Sequence, residues 1–347
     1  MPPLPLTMRS KLATCLLATL LCLSTSGYTQ ETVVEPTEAK TAEVAEASSQ
    51  SASNFSGLWT TSYGRMRLEI DGKNATGTYA YGNVSRIEGE IGDDGKLHFK
   101  YIEPQTQGEG WFKLAEDGSG LDGRWRPKGT ERWQKWTGRR VEPIKNRTWL
   151  VVLEAHWETG LSEDEYSFGD MLRSYFKMSE AQHIAVRHRF FHDDADLRRF
   201  CREVTFLAEP VVLLISTHGS QAGIQVGGKT VTAQDFAPAL KHAHNVKLLH
   251  LSGCDMMAGD VPLQIQKILE GGAQFPISGY KQTVAWDASA LGDFTFLSMM
   301  FMHRKTPMDA AKQAIKLSPF LGDSVPKNSV FRPLGLTVVP PQASSKS

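Results

Sequence analysis

Hydrophobic and polar positions follow two different rules along this chain. Between positions 55 and 142, apolar and polar residues alternate in short runs broken by turn residues. The runs are GLWTT, RMRLEI, ATGTYAY, SRIEGEI, KLHFKYI, GWFKLA, LDGRW and RWQKWTG, with Asp71-Gly72, Gly82-Asn83, Gly92 to Gly95 and Asp117-Gly118 between them. A period of two with Gly-containing turns at hairpin spacing predicts about eight antiparallel strands. Met66, Leu68 and Ile70 share one face, which is therefore the inner one. Gly precedes an aromatic or aliphatic residue by two positions at Gly57/Trp59, Gly77/Tyr79, Gly89/Ile91 and Gly123/Trp125. An up-and-down meander closing into a small barrel suits this pattern, because closure removes the sheet edges.

From Trp149 onward the rule changes. Runs of strand length, TWLVVLEA, HIAVRHRF, VVLLISTHG, VKLLHLSGC and FPISGY, the third and fourth apolar up to their small-residue turns, alternate with stretches of helical periodicity. The spacing predicts helices over 168–178, 195–208, 233–244, 261–269, 291–302 and 308–317, and a small hairpin over 223–231 turning at Gly227-Gly228. Strands that are apolar throughout are buried on both faces, as in a mainly parallel sheet flanked by helices. The fold class is thus an α/β domain preceded by an all-β antiparallel meander or barrel. The α/β domain spans 149–320 and the β module 55–142, joined by a short polar segment. The Pro- and Ser-rich segment 321–347 is expected to be a loose tail.

The first residues break both rules. Arg9 and Lys11 precede an apolar core from Leu12 to Leu23, followed by the small residues Ser24 to Gly27. This is the order of a secretory signal peptide over 1–29, and the protein is expected to be exported, periplasmic or secreted. An apolar core of about 12 residues is too short to span a bilayer, which takes about 20. Positions 30–54 are rich in Glu, Ala, Thr and Ser without apolar periodicity, which predicts a disordered linker.

Composition narrows the classes. Among 347 residues, Lys plus Arg and Asp plus Glu are both 38, so the net charge is zero. The basic excess of a nucleic-acid-binding protein is absent. Cys15 and Cys22 leave with the leader, so the mature chain keeps Cys201 and Cys254. One pair is no disulfide framework. Cys201 lies among Leu197, Phe200 and Val204 at helical spacing and reads as a buried helix residue. Trp59, Trp111, Trp125, Trp133 and Trp136 invite a carbohydrate or small-ligand reading of the β module, but filling of the barrel and its mouth accounts for them more simply. The run His192-Asp193-Asp194 reads as a helix N-cap rather than a metal site. No zinc spacing, phosphate loop or Ser nucleophile elbow is present, and no metal or cofactor is expected.

Cys254 stands apart. Two apolar strands end in small-residue turns, one carrying His218-Gly219 and the other Gly253-Cys254. Side chains at the carboxyl ends of parallel strands face the crevice where α/β proteins perform chemistry. A Cys is a good nucleophile only as thiolate, and an imidazole nearby can take its proton. If the two strands are neighbours, His218 and Cys254 meet. The backbone N–H groups of Gly219 and Cys254 could then hold an oxyanion.

Residues 149–319 resemble the caspase-like domains of clan CD cysteine peptidases, which include caspases, metacaspases, gingipains, legumains, separases and bacterial CHAT domains. LLISTHGS, LLHLSGCDMMAGD and GGAQFPISGYKQTVAWDASALGDF are similar, in that order, to three successive blocks of CHAT domains. The resemblance implies His218 as general base, Cys254 as nucleophile, Gly219 and Cys254 as oxyanion donors, and a peptide or protein substrate cleaved without a cofactor. Ser252 stands two residues before the Cys, where caspases carry Gln and metacaspases Asp, so neither preference for the substrate side chain carries over. Beside Ser252, the acidic residues Asp255, Asp287 and Glu154 are candidates for the substrate pocket and would favour Lys or Arg. The β module resembles small lipocalin- or avidin-like modules. The competing expectation is a non-catalytic caspase-like scaffold whose β module binds a ligand or partner, and a third is that the barrel inhibits the peptidase.

Overall fold

Eight strands wind up and down at the amino-terminal end: β1 (Gly57–Thr61), β2 (Gly64–Asp71), β3 (Asn74–Tyr79), β4 (Arg86–Ile91), β5 (Leu97–Ile102), β6 (Gln107–Leu114), β7 (Gly120–Pro127) and β8 (Gln134–Arg140). Each pairs antiparallel with the next, and β1 also pairs with β8, so the sheet is a closed barrel. This computed structural model describes residues 55–81, 85–156, 167–179 and 183–342. The expected leader and linker lie outside the described residues. No helix among the described residues is long and apolar enough to cross a membrane.

The barrel is filled from inside. Trp59, Tyr79, Phe99, Tyr101, Phe112 and Trp136 are all buried in it. Their rings stack or meet edge to face, as Phe99 does with Phe112 and with Trp136 at centroid distances of 4.7 and 5.6 Å. Glycine on the facing strand makes room for them: a Cβ on Gly110 would collide with the Phe99 ring. The Gly-and-aromatic signature is therefore a packing device. Trp111 and Trp133 lie on the outside, under Lys96 and Arg126 respectively.

The remaining elements are β9 (Thr148–Ala155), α1 (Phe168–Met178), β10 (Ile184–Phe191), α2 (Asp194–Val204), β11 (Val211–Ser216), β12 (His218–Ser220), β13 (Gly223–Val226), β14 (Lys229–Val231), α3 (Ala233–Phe236), β15 (Val246–Ser252), α4 (Val261–Ile268), β16 (Ile277–Tyr280), α5 (Trp286–Phe301), α6 (Pro307–Leu317) and β17 (Leu336–Val339). The main sheet has the order β10-β9-β11-β15-β16-β17. All its pairings are parallel except β16 with β17, so the sheet is mixed. Helices α2, α3 and α4 pack on one face and α1, α5 and α6 on the other. Every residue of β11 is buried.

Three expectations differ from this arrangement. The segment expected as a loose tail supplies β17, because Leu336–Val339 satisfies the open edge of β16. The helix expected over 233–244 is one α-helical turn followed by a 3-10 turn, Ala237–Leu240, since Pro238 cannot donate an α-helical hydrogen bond. Helix α5 starts five residues earlier than the apolar pattern indicated, at Trp286, and carries the polar Asp287 and Ser289 in its first turn. Asp193 is the N-cap of α2, accepting from the Asp196 N–H at 2.8 Å.

Barrel and sheet belong to one unit. Arg67 on β2 donates from Nε to the Thr205 carbonyl at 2.6 Å and from Nη2 to the Leu207 carbonyl at 2.7 Å, and Arg65 donates to the Phe206 carbonyl at 2.8 Å. These carbonyls follow the carboxyl end of α2, where backbone acceptors lack intrahelical partners. Glu69 and His244 add a contact at 2.7 Å. The contacts lie on segments that precede β11 and β15, at the amino-terminal ends of the sheet strands.

Candidate active site

At the other pole, the carboxyl ends of β11 and β15, the register matters most. The strands are parallel neighbours, with Ser216 opposite Ser252. His218 and Cys254 each lie two residues beyond this pair. Two equal extensions from adjacent parallel strands bring them to the same rim. Both line one small cavity of about 90 Å³, together with Phe168, Ser252, Trp286, Ser289 and Asp293.

Glycine allows the two turns to touch. A Cβ on Gly219 would lie 2.6 Å from the Cys254 carbonyl oxygen and 2.7 Å from Met256 Cγ, and a Cβ on Gly253 would lie 2.8 Å from the Thr217 carbonyl oxygen. Side chains here would push the turns apart. Below them, the Thr217 N–H donates to the Ser252 carbonyl at 3.1 Å.

The local geometry also orients backbone donors. β12 and β13 form a hairpin in which Ser220 pairs with Gly223 across a two-residue turn. The closing pair of such a hairpin is hydrogen-bonded and the next is not. Gly219, in that next pair with Ile224, therefore turns its N–H away from β13. Asp255 takes a φ of 57°, uncommon for a residue with a Cβ. It is held there by its N–H donating to the Gln282 carbonyl at 3.2 Å and by its carboxylate accepting from the Thr283 hydroxyl at 2.9 Å. The same loop brings the Val284 N–H to 3.4 Å from Cys254 Sγ, and the thiol donates to the Val284 carbonyl at 3.6 Å.

The two cysteines differ sharply. Cys254 is partly accessible, whereas Cys201 is fully buried in α2 and its thiol is pushed up to about 12 by desolvation.

The acidic residues singled out from the sequence have other partners. Glu154 is wholly buried and accepts from the Phe168 and Gly169 N–H groups at 2.9 and 3.1 Å, the first turn of α1. His188 Nε2 lies 2.9 Å from Oε2, the oxygen that also accepts from Gly169. Glu154 therefore holds the helix that carries Phe168 to the cavity wall, and is not in the lining. Asp255 is tied to Thr283 outside the lining. Asp287 is exposed and bonds the Ala288 N–H. Ser252 does line the cavity.

The acid that lines the cavity is one that sequence reasoning did not single out. Asp293, in the middle of α5, is wholly buried, and its carboxylate accepts from His250 Nε2 at 2.7 Å, from the Ser252 hydroxyl at 2.5 Å and from the Tyr280 hydroxyl. His250 Nδ1 lies 2.7 Å from Ser278 Oγ. The available signal was a polar residue inside an apolar stretch: His250 in LLHLS and Asp293 in LGDFTF. Burying such groups is costly unless they find one another.

Compared with models of known protein families, the chain matches none, and it matches no curated protein.

Proposed function

We propose that the protein is a cysteine-type endopeptidase with a caspase-like α/β domain, exported to the periplasm or the medium. His218 takes the proton of Cys254, and the thiolate attacks the carbonyl carbon of the scissile bond. The resulting oxyanion is held by the Gly219 and Cys254 N–H groups. Collapse expels the amine, which takes its proton from the His218 imidazolium and leaves a thioester on Cys254. Water, deprotonated by His218, attacks the thioester, releasing the acid and restoring the thiol.

One observation carries this reading: His218 and Cys254, far apart in sequence, line the same small cavity at the ends of adjacent parallel strands. A scaffold that only binds a partner through its β module has no use for that meeting. The docking of the barrel on segments that precede β11 and β15 fits a structural support better than an inhibitor that covers the site.

The test is cleavage of a mixed peptide library by the protein, with Cys254→Ala and His218→Ala as controls. Cuts that vanish in both variants are the expected result. A protein that cuts nothing, and whose Cys254 reacts with iodoacetamide at pH 6 no faster than a free thiol, is not a peptidase of this kind; the scaffold reading then takes over.

A further inference from the structure

A groove of about 430 Å³ lies along α1 where it faces α5, lined by Met171, Tyr175 and Met178 of α1 and by Phe294 of α5. Its surface is apolar because its polar groups are taken. The Tyr175 hydroxyl is 2.7 Å from Ser298 Oγ. Ser167 Oγ accepts from the Asp170 N–H at 3.1 Å, and the Asp170 carboxylate pairs with Arg173. Only the exposed Ser174 hydroxyl in the lining is left for water. Met171 and Met178 are 40% and 81% exposed, so two thioethers stand in solvent beside aromatic rings. A contiguous apolar patch of this kind marks a binding surface.

The groove continues the cavity beside Cys254. Along α1, Phe168, Met171, Tyr175 and Met178 stand at i, i+3, i+7 and i+10, a single stripe. Phe168 lines the cavity, and the other three line the groove. Along α5, Trp286 and Ala290 line the cavity, and Phe294, one turn further on, lines the groove. The Phe294 ring meets Phe168 at a centroid distance of 5.7 Å and Tyr175 at 5.0 Å. The same two helices therefore wall both recesses, end to end.

We infer that the groove between α1 and α5 takes an apolar segment of the polypeptide substrate, several residues away from the scissile bond. The inference rests on the peptidase reading and adds a requirement on the substrate away from the cut. From Phe168 to Met178 the helix advances about 15 Å. An extended chain, at about 3.3 Å per residue, covers that length with roughly five residues. A substrate held at Cys254 thus brings the side chains about three to five positions from the cut over Met171, Tyr175 and Met178. Unbranched thioethers adapt to the shape of a guest, so the groove selects apolar character, such as Leu, Met, Ile or Phe, rather than one residue. A charged or amide side chain would lose water there without gaining a partner.

The experiment uses the full protein and a short peptide that it cuts, extended by five residues on one side or the other, with Leu or Ser at positions three to five from the cut. On one of the two sides, the Leu peptide should exceed the Ser peptide in kcat/KM on the order of 10- to 100-fold, the effect of burying one or two apolar side chains. The gain should lie mainly in KM, since the contact is the same in ground and transition states. Met171→Gln combined with Met178→Gln keeps side-chain length and helix propensity but removes the apolar surface, and should bring the Leu-to-Ser ratio toward one. A variant that merely loosened the fold would lower both peptides and keep the ratio. A second measurement uses Cys254→Ala, which holds the peptide uncut: a benzophenone at the fourth position of the Leu peptide should crosslink to α1 or α5. Equal cleavage of Leu and Ser peptides on both sides overturns the inference while the peptidase reading stands. So does a ratio that survives the double variant, or crosslinks confined to the barrel. A wild-type dimer in light scattering that becomes a monomer in the double variant puts a second copy of the chain in the groove and likewise overturns it. If no peptide is cut at all, the peptidase reading fails and this inference goes with it.

Discussion

Gly219 is where packing and chemistry can be perturbed with a single methyl group. Its backbone is not in the left-handed region, so Gly219→Ala introduces no φ strain and the effect is steric. The new Cβ would lie 2.6 Å from the Cys254 carbonyl oxygen and 2.7 Å from Met256 Cγ. Ordinary contact begins at about 3.4 Å, so the His218 and Cys254 turns must separate by roughly 0.5–1 Å. Met256 can shift its flexible side chain, but the carbonyl belongs to the backbone of Cys254 and moves only with it. Overpacking of this size costs about 2 kcal/mol, which in a domain of this length lowers Tm by about 6 °C. The chemical cost is larger. Displacing a reacting pair by about 1 Å lowers turnover by on the order of 100-fold. Differential scanning fluorimetry reads the first effect, and both peptide cleavage and the iodoacetamide rate of Cys254 at pH 6 read the second. The reasoning predicts a modest fall in Tm with a disproportionate loss at the thiol. A Gly219→Ala protein that melts and reacts as the wild type does would refute the close approach of the two turns.

Four further outcomes follow from the geometry. Arg67→Ala removes two hydrogen bonds to the Thr205 and Leu207 carbonyls; allowing for partial solvent screening, the loss is about 2–4 kcal/mol, and thermal melts should show a lower Tm or a separate barrel transition. An unchanged melt would mean that the barrel is not held through that arginine. At pH 8, of Cys201 and Cys254, iodoacetamide should label Cys254 first, and Cys201 only after unfolding, by peptide mass mapping; early Cys201 labelling contradicts its burial. Because the Cys201 thiol is raised from 9.0 to about 12, its contribution to stability is intact below pH 9 and is lost as the pH rises toward 12, so denaturation midpoints should fall across that window and Cys201→Ala should flatten the fall. Glu154→Leu leaves the Phe168 and Gly169 N–H groups without their acceptor and should cost about 2–4 kcal/mol, with faster amide hydrogen exchange in the first turn of α1, whereas Glu154→Gln should cost roughly half as much.

Much of this architecture is a local property of the sequence. The period-two runs with Gly turns are enough to specify a meander of about eight strands, because alternation with hairpin turns has few other solutions. The apolar runs VVLLI and, within VKLLHLS, the stretch after Lys247 mark strands buried on both faces for the same reason. His218 and Cys254 were legible as strand-end residues beside glycine. Other features were not, because they depend on who becomes whose neighbour. Nothing local in LTVV says that Leu336–Val339 will pair with β16; the open edge of that strand decides it. Glu154, Asp255 and Asp287 were conspicuous as acids near the expected crevice, but a side chain's partner is set by packing. Glu154 meets the start of α1, Asp255 meets Thr283, and Asp287 faces solvent.

The sequence by itself determined the two building patterns and placed His218 and Cys254 at strand ends, since periodicity and turn chemistry act over a few residues. Tertiary structure alone decided that β11 and β15 are adjacent with Ser216 opposite Ser252, which turns two separate strand ends into one site. It also decided that Asp293, six residues beyond Asp287 on α5, lies against Ser252 beneath that site. The physical reason is the same in both cases: a polar group removed from water must find a partner, and the partner is fixed by the packing of the sheet and helices.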